Sequence, residues 1–353
     1  MGRTALVVSG GGAKGAFAVG AVEYMIKRLG IEFDLYAGTS TGALVTSCLA
    51  AGKLDELVTY YASSSTATML TQKPAGDVVR SESVLGIEPL KRALEGIIDQ
   101  AAAGRVLAGT TPLFLATVSL QTGELVYFHT SADPRIDAPA RQHRLQSRAE
   151  LVSAILASAS VPVMLPAVQV LKHPLDPAVP PLPPDAPPNA TVVPDQFTDG
   201  GVREFAPLGV AIDNGASDVY VVVLSPIRRT RRNVKFTRAL QVLPRTIDLL
   251  TEDVAENDLA VARKYNLMLT QIERLRAELV RGGADPMLVD RVFTQAGPPF
   301  DRKRLVNFYV IAPEQPLLKG DSLDFTETDM ARMITAGRRR AAAVLGGGAG
   351  PVV

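Results

Sequence analysis

The chain has 353 residues, 47% of them hydrophobic and 21% charged, with a formal net charge of +1. That balance excludes a global field drawing in nucleic acid, and the hydrophobic share suffices for a large core. Cys48 is the only cysteine, so an internal disulfide is excluded, and it reads as a small buried apolar side chain.

In chain order, residues 4–10 read as a buried strand ended by glycine, and Ala16 to Leu29 as a helix with Gly30 at its C-cap. Phe33 to Thr39 is a second strand, and Gly42 to Ala51 a second helix closed by Gly52. This is the opening of an α/β layered fold. Leu54 to Leu70 and Ile87 to Gln100 read as helices. Leu113 to Leu120 and Leu125 to His129 form a hairpin across Gln121-Thr122-Gly123-Glu124. Leu151 to Ser160 is a helix stopped near Pro162.

From Leu171 to Pro194 the chain is proline-rich, which gives an extended insertion or lid within the domain. Val219 to Leu224 is a Val-rich strand and Asp248 to Arg281 a long amphipathic helix or helix pair. Leu305 to Ala312 is a last strand, Asp329 to Leu345 a closing helix, and residues 346–353 a disordered tail. The basic run Arg228-Arg229-Thr230-Arg231-Arg232 reads as a solvated loop, with contact to anionic lipid headgroups as its functional alternative. No apolar run reaches the roughly 20 residues that span a bilayer. No secretory signal pattern opens the chain. The expected location is cytoplasmic, with contact at a membrane surface.

Two glycine-rich turns carry the chemistry. Gly10-Gly11-Gly12-Ala13-Lys14-Gly15 follows the first strand, and successive N–H groups at a helix N-terminus form an anion nest. Gly38-Thr39-Ser40-Thr41-Gly42 lies between the second strand and its helix, the context a nucleophile elbow needs. The glycines remove Cβ atoms that would collide with neighbouring elements. The first turn also fits G-x-G-x-x-G, and Asp34 lies near the spacing of a ribose-binding acid. However, Asp34 begins its strand, where a ribose acid would end one, and this weighs against a dinucleotide site.

A serine nucleophile needs a base. His129, His143 and His173 are the only histidines. They read as surface residues: one ends a hairpin strand, one sits in a polar loop and one opens the proline-rich loop. Asp199-Gly200-Gly201 offers a carboxylate at a glycine turn, where partial desolvation can raise its pKa. Alone, Asp-Gly-Gly is ordinary turn chemistry. The two earlier turns give it a catalytic reading.

The three turns in this order resemble the patatin-like phospholipase family, with its GGGxK/RG oxyanion loop, GxSxG elbow and DGG or DGA turn. Ala157-Ser158-Ala159-Ser160, ahead of Pro162 and Pro166, is similar to the family's small-residue helix. Leu323-Asp324-Phe325 with Met330 to Arg340 is similar to its closing helix. The resemblance covers roughly residues 4–345.

The resemblance implies a three-layer α/β/α fold with a mixed central sheet, built as a single domain over 1–345 with the insertion at 173–194. It implies a serine acyl hydrolase of phospholipid or other lipid esters, acting at a membrane or micelle surface. The implied dyad is Ser40 and Asp199. The oxyanion donors would be the N–H groups of Gly11, Gly12 and Thr41, with Gly10, Lys14, Gly15, Gly38, Gly42, Gly200 and Gly201 in support, and with no metal or cofactor. An acyltransferase using the same acyl-serine, and an inactive lipid-binding module, stay open as alternatives.

Overall fold

The structure is a computed structural model and describes residues 2–74, 81–137, 139–175, 192–227, 237, 239–294, 305–318 and 323–346. Most of the proline-rich insertion, the basic run 228–232 and the tail beyond 346 lie outside the described residues.

β1 (Arg3–Val8) leads through a 3-10 turn, Gly12–Lys14, into α1 (Gly15–Leu29), and β2 (Leu35–Thr39) runs into α2 (Thr41–Ala50). There follow α3 (Leu54–Ala62), α4 (Thr66–Met69), a small ribbon of β3 (Thr71–Gln72) and β4 (Leu85–Gly86), α5 (Glu88–Ile97) and α6 (Gln100–Leu107). The main sheet resumes with β5 (Leu113–Ser119), β6 (Leu125–His129) and β7 (Arg141–Arg144), then α7 (Arg148–Ala159), β8 (Val168–Gln169) and β9 (Gln196–Asp199). The remainder is α8 (Leu208–Asp213), β10 (Ala216–Val222), α9 (Ala239–Arg281), α10 (Pro286–Thr294), β11 (Asn307–Ile311) and α11 (Glu327–Leu345).

The sheet order is β11-β10-β1-β2-β5-β6-β7, with β9 hydrogen-bonded to β5 and β8. β11, β10, β1, β2 and β5 are parallel, whereas β6 and β9 run antiparallel to β5. Strand side chains alternate between faces. Leu6 and Val8 therefore enter the larger core with α1, α2, α7 and α11, while Ala5 and Val7 pack on the other face with residues of α8. Helices on both faces of a mixed sheet make the three-layer α/β/α fold. α1 and α11 cross nearly backbone to backbone: a Cβ at Gly20 would lie 1.9 Å from the Ile334 carbonyl oxygen, and one at Gly337 2.0 Å from that of Phe17. Among the described residues, no helix is long and apolar enough to cross a membrane.

Several elements differ from the sequence reading for local reasons. The helix expected over Leu54 to Leu70 is two, because Ser65 and Thr68 form a capping box that starts a new one. Ile87 to Gln100 also divides, where the Asp99 carboxylate caps the Ala102 N–H at 2.8 Å. Residues 141–144, expected as a loop, form a polar edge strand paired with β6. α9 is one helix of 43 residues starting at Ala239 instead of Asp248, and the short helices α8 and α10 were not anticipated.

Candidate active site

β1 and β2 are parallel neighbours, so the turns after them emerge at the same end of the sheet. The first turn is glycine-specific: Gly11 has φ 154° and Gly12 φ 57°, values open to glycine at little cost. Gly10 donates its N–H to the Phe205 carbonyl at 3.1 Å. A Cβ on Gly10 would sit 3.2 Å from the Ser40 Cβ, which places the loop directly beside the serine. Among the described residues no acceptor meets the Gly11 N–H. Lys14 reaches across the turn, its Nζ 3.2 Å from Ser225 Oγ after β10. Gly15 begins α1 against Thr41 and Tyr61.

Ser40 is 4% exposed, with backbone angles of φ 57° and ψ −128°. A non-glycine residue there carries strain on the order of 1–3 kcal/mol, held by its surroundings. The Ser40 N–H donates to Ser158 Oγ at 3.0 Å, and the Ser158 hydroxyl donates to the Ala116 carbonyl at 2.7 Å. α2 starts at Thr41, whose N–H, in the first turn, has no intrahelical acceptor. Gly42 must be glycine because a Cβ would stand 2.1 Å from the Val8 carbonyl oxygen. Gly38 packs against the same turn of α2.

Asp199 ends β9, where Thr117 on β5 is its partner. Because β5 also flanks β2, β9 carries the carboxylate to the serine. The Asp199 N–H donates to the Ser160 carbonyl at 2.9 Å. Gly200 opens a 3-10 turn against Ala116, and the Gly201 N–H donates to Asp199 Oδ1 at 2.7 Å. The carboxyl is 5% exposed as a residue. Burial pushes its pKa up to about 6, against the opposing pull of hydrogen bonds from the Ser40 hydroxyl and the Gly201 N–H. Ser40 and Asp199, 159 positions apart in sequence, thus come close enough for the Ser40 hydroxyl to bias the ionisation of the carboxyl. A hydroxyl, a carboxyl of raised pKa and donor amides in one place can carry out nucleophilic acyl chemistry.

The histidines stand elsewhere. His129 is buried (3% exposed), which corrects its reading as a surface residue: β6 lies between β5 and β7, and its ring stacks on Phe114. Burial pushes it down to about 4, with the charges of His143 and Arg144 adding. Phe114, its partner on β5, lies three residues before Thr117, about 10 Å along the strand. His143 belongs to β7 and lies 3.4 Å from a Glu150 oxygen, and His173 is exposed. Asp34 accepts from the Thr4 N–H at 3.0 Å, at the end of β1 away from the glycine turn, so the dinucleotide alternative loses its acid. Among the described residues no three His, Cys, Asp or Glu side chains gather as a metal site.

Two supporting residues were named from the sequence only as part of a small-residue helix, without a role, and a third, Asp258, escaped it. Ser158 and Ser160, in the run of small residues ending α7, bind the Ser40 turn and the Asp199 turn; the signal was four small residues in a row before Pro162. Asp258, on α9, accepts from the Phe205 and Ala206 N–H groups at 3.1 and 2.9 Å through Oδ2. It thereby holds the segment that binds Gly10. Beside it Glu204 accepts from the Tyr127 hydroxyl, and burial raises its pKa well above the carboxylate range, with Asp258 and Asp213 adding. No local pattern marks an aspartate within a long helix for this role.

A family model described as patatin-like phospholipase matches residues 6–212, the span holding all three turns. Among solved structures, VipD from Legionella pneumophila is similar at 12% identity and a TM-score of 0.43, over 98% of this chain and 67% of that one. No curated protein matches.

Proposed function

The chain belongs to the patatin-like phospholipase family, and from that premise we propose that it is a serine hydrolase of lipid carboxylic esters, with Ser40 as nucleophile and Asp199 as base. The observation that carries this reading is a strained, buried serine whose hydroxyl acts on a buried carboxyl at a glycine turn, a carboxyl whose pKa burial lifts to about 6.

In the first step Ser40 Oγ bonds to the ester carbonyl carbon while its proton passes to the Asp199 carboxylate. The carbonyl oxygen becomes an oxyanion, received by the N–H groups of Gly11, Gly12 and Thr41. Each such donor is worth about 3 kcal/mol in the transition state. The intermediate collapses, the C–O bond to the alcohol breaks, and the leaving oxygen takes the proton. Water then adds to acyl-Ser40, giving its proton to Asp199, and the fatty acid leaves as Ser40 regains a proton. A pKa near 6 leaves Asp199 ionised at neutral pH yet a stronger base than an exposed aspartate.

The proposal treats residues 1–345 as one catalytic unit that is cytoplasmic and meets its lipid at a membrane or micelle surface. Ser40→Ala is expected to lose p-nitrophenyl ester hydrolysis and labelling by a fluorophosphonate probe while remaining folded. Turnover retained in that variant rejects the nucleophile.

A further inference from the structure

β11 is parallel to β10 and β1, so the segment that follows it, Pro313 to Leu317, emerges at the sheet end that also carries the glycine turn and Ser40. Between this segment and α11 lies a cleft of about 380 Å³, the size of a small-ligand site. Arg332, Arg339 and Arg340 line it, with Glu314 as the acidic residue of the wall. Arg332, Ala336, Arg339 and Ala343 recur at helical spacing along one stripe of α11, and the two alanines leave room between the cations. The exposed Pro316 and the half-buried Leu317 supply the apolar surface beside them, above the buried Phe17 and Met333.

The outer guanidinium groups are held in place. Arg332 Nη2 donates to the Leu317 carbonyl at 3.0 Å and to Asp329 at 2.8 Å. Arg340 donates through Nε to the Ala312 carbonyl at 2.9 Å and through Nη1 to Glu314 at 2.7 Å. Each guanidinium has five N–H donors, so donors remain on both. Arg339 has no ion pair among the described residues. Among the described residues, the cleft therefore carries one more positive charge than its ion pairs balance.

The geometry points to a binding site for a phosphate group in this cleft, with the apolar wall favouring the phosphate of an anionic phospholipid over the free ion. Arginine forks match phosphate oxygens, and the wall matches the acyl chains beside a headgroup. The site is separate from the Ser40–Asp199 reading. It would hold the protein on an anionic membrane whether or not that dyad turns over.

The test uses the full chain carrying Ser40→Ala, so that no lipid is consumed and the outcome is independent of the catalytic assignment. Sedimentation with phosphatidylcholine vesicles, with and without phosphatidylglycerol, reads binding. Inorganic phosphate is the competitor and, in thermal melts, the free-ion probe. Binding is expected to require phosphatidylglycerol, and to weaken about fivefold in Arg339→Ala, as for one cation removed from a membrane contact. It should weaken similarly in Ala343→Leu, which fills the cleft without changing charge. Arg338→Ala serves as control, because Arg338 pairs with Glu23 away from the cleft, and should bind as the parent does. Equal loss in Arg338→Ala, or no loss in Arg339→Ala with its fold intact by circular dichroism, overturns the site. Arg339-dependent stabilisation by inorganic phosphate without vesicle binding overturns the lipid assignment.

Discussion

At Asp199 the environment that lifts the pKa to about 6 also acts on stability. An aspartate has a pKa near 4 when unfolded, so the folded state binds its proton more tightly. The resulting stabilisation is complete below about pH 4 and is lost as pH rises through about 6. At neutral pH the ionised form therefore costs the fold on the order of 3 kcal/mol. Asp199→Asn removes that charge while its amide oxygen can still accept from Gly201. The variant is expected to be inactive yet to melt higher than the parent at pH 8, with the gap closing towards pH 4. A lower melting temperature at pH 8 would contradict burial as the cause. For the parent enzyme, kcat/KM is expected to fall as pH drops through about 6. Asp258 is also lifted to about 6 by burial, so the profile is best repeated in Asp258→Asn, where the limb should persist if Asp199 sets it.

At the level of elements, α9 reaches the site through one carboxylate. Asp258→Ala would leave the Phe205 and Ala206 N–H groups without their acceptor, at about 1–3 kcal/mol for a buried donor, and would loosen the segment holding Gly10. The expected outcome is a roughly tenfold fall in kcat with KM little changed, substantially restored in Asp258→Asn. A loss of stability without a kcat effect would make the contact structural only.

The turns were legible because each is a local event: a strand, a glycine pattern and a helix within about fifteen residues. The same holds for β2 into α2 and for the β5–β6 hairpin. What the sequence hid was non-local. That β9 lies against β5, and so delivers Asp199 to Ser40, depends on strand order, which no short motif encodes. The burial of His129 depends on β7, a strand made of Arg, Gln, His and Arg that has no apolar alternation to reveal it. The breaks at Ser63 to Ser65 and at Asp99 come from side-chain caps inside segments of continuous helical pattern, where capping outweighed periodicity.

Across the whole molecule, the sheet is assembled from distant pieces. β1 is sandwiched between β2 and β10, more than 200 residues downstream, and α11 closes against α1 through Gly20 and Gly337. Gly337→Ala would drive a methyl group into the Phe17 carbonyl. Because the obstacle is backbone, the expected cost is about 3 kcal/mol, seen as a clear drop in melting temperature. An unchanged melt would show that the two helices can separate freely.

While the polypeptide is still emerging from the ribosome, the segment bearing the serine exists without the strand that flanks β1 on its other side. The carboxylate is synthesised well after the hydroxyl, and the helix that clamps α1 later still. Contacts of such sequence separation form slowly. A site assembled this way stays incomplete while its early segment is being made, and Ser40 meets Asp199 only after at least 159 further residues have been added.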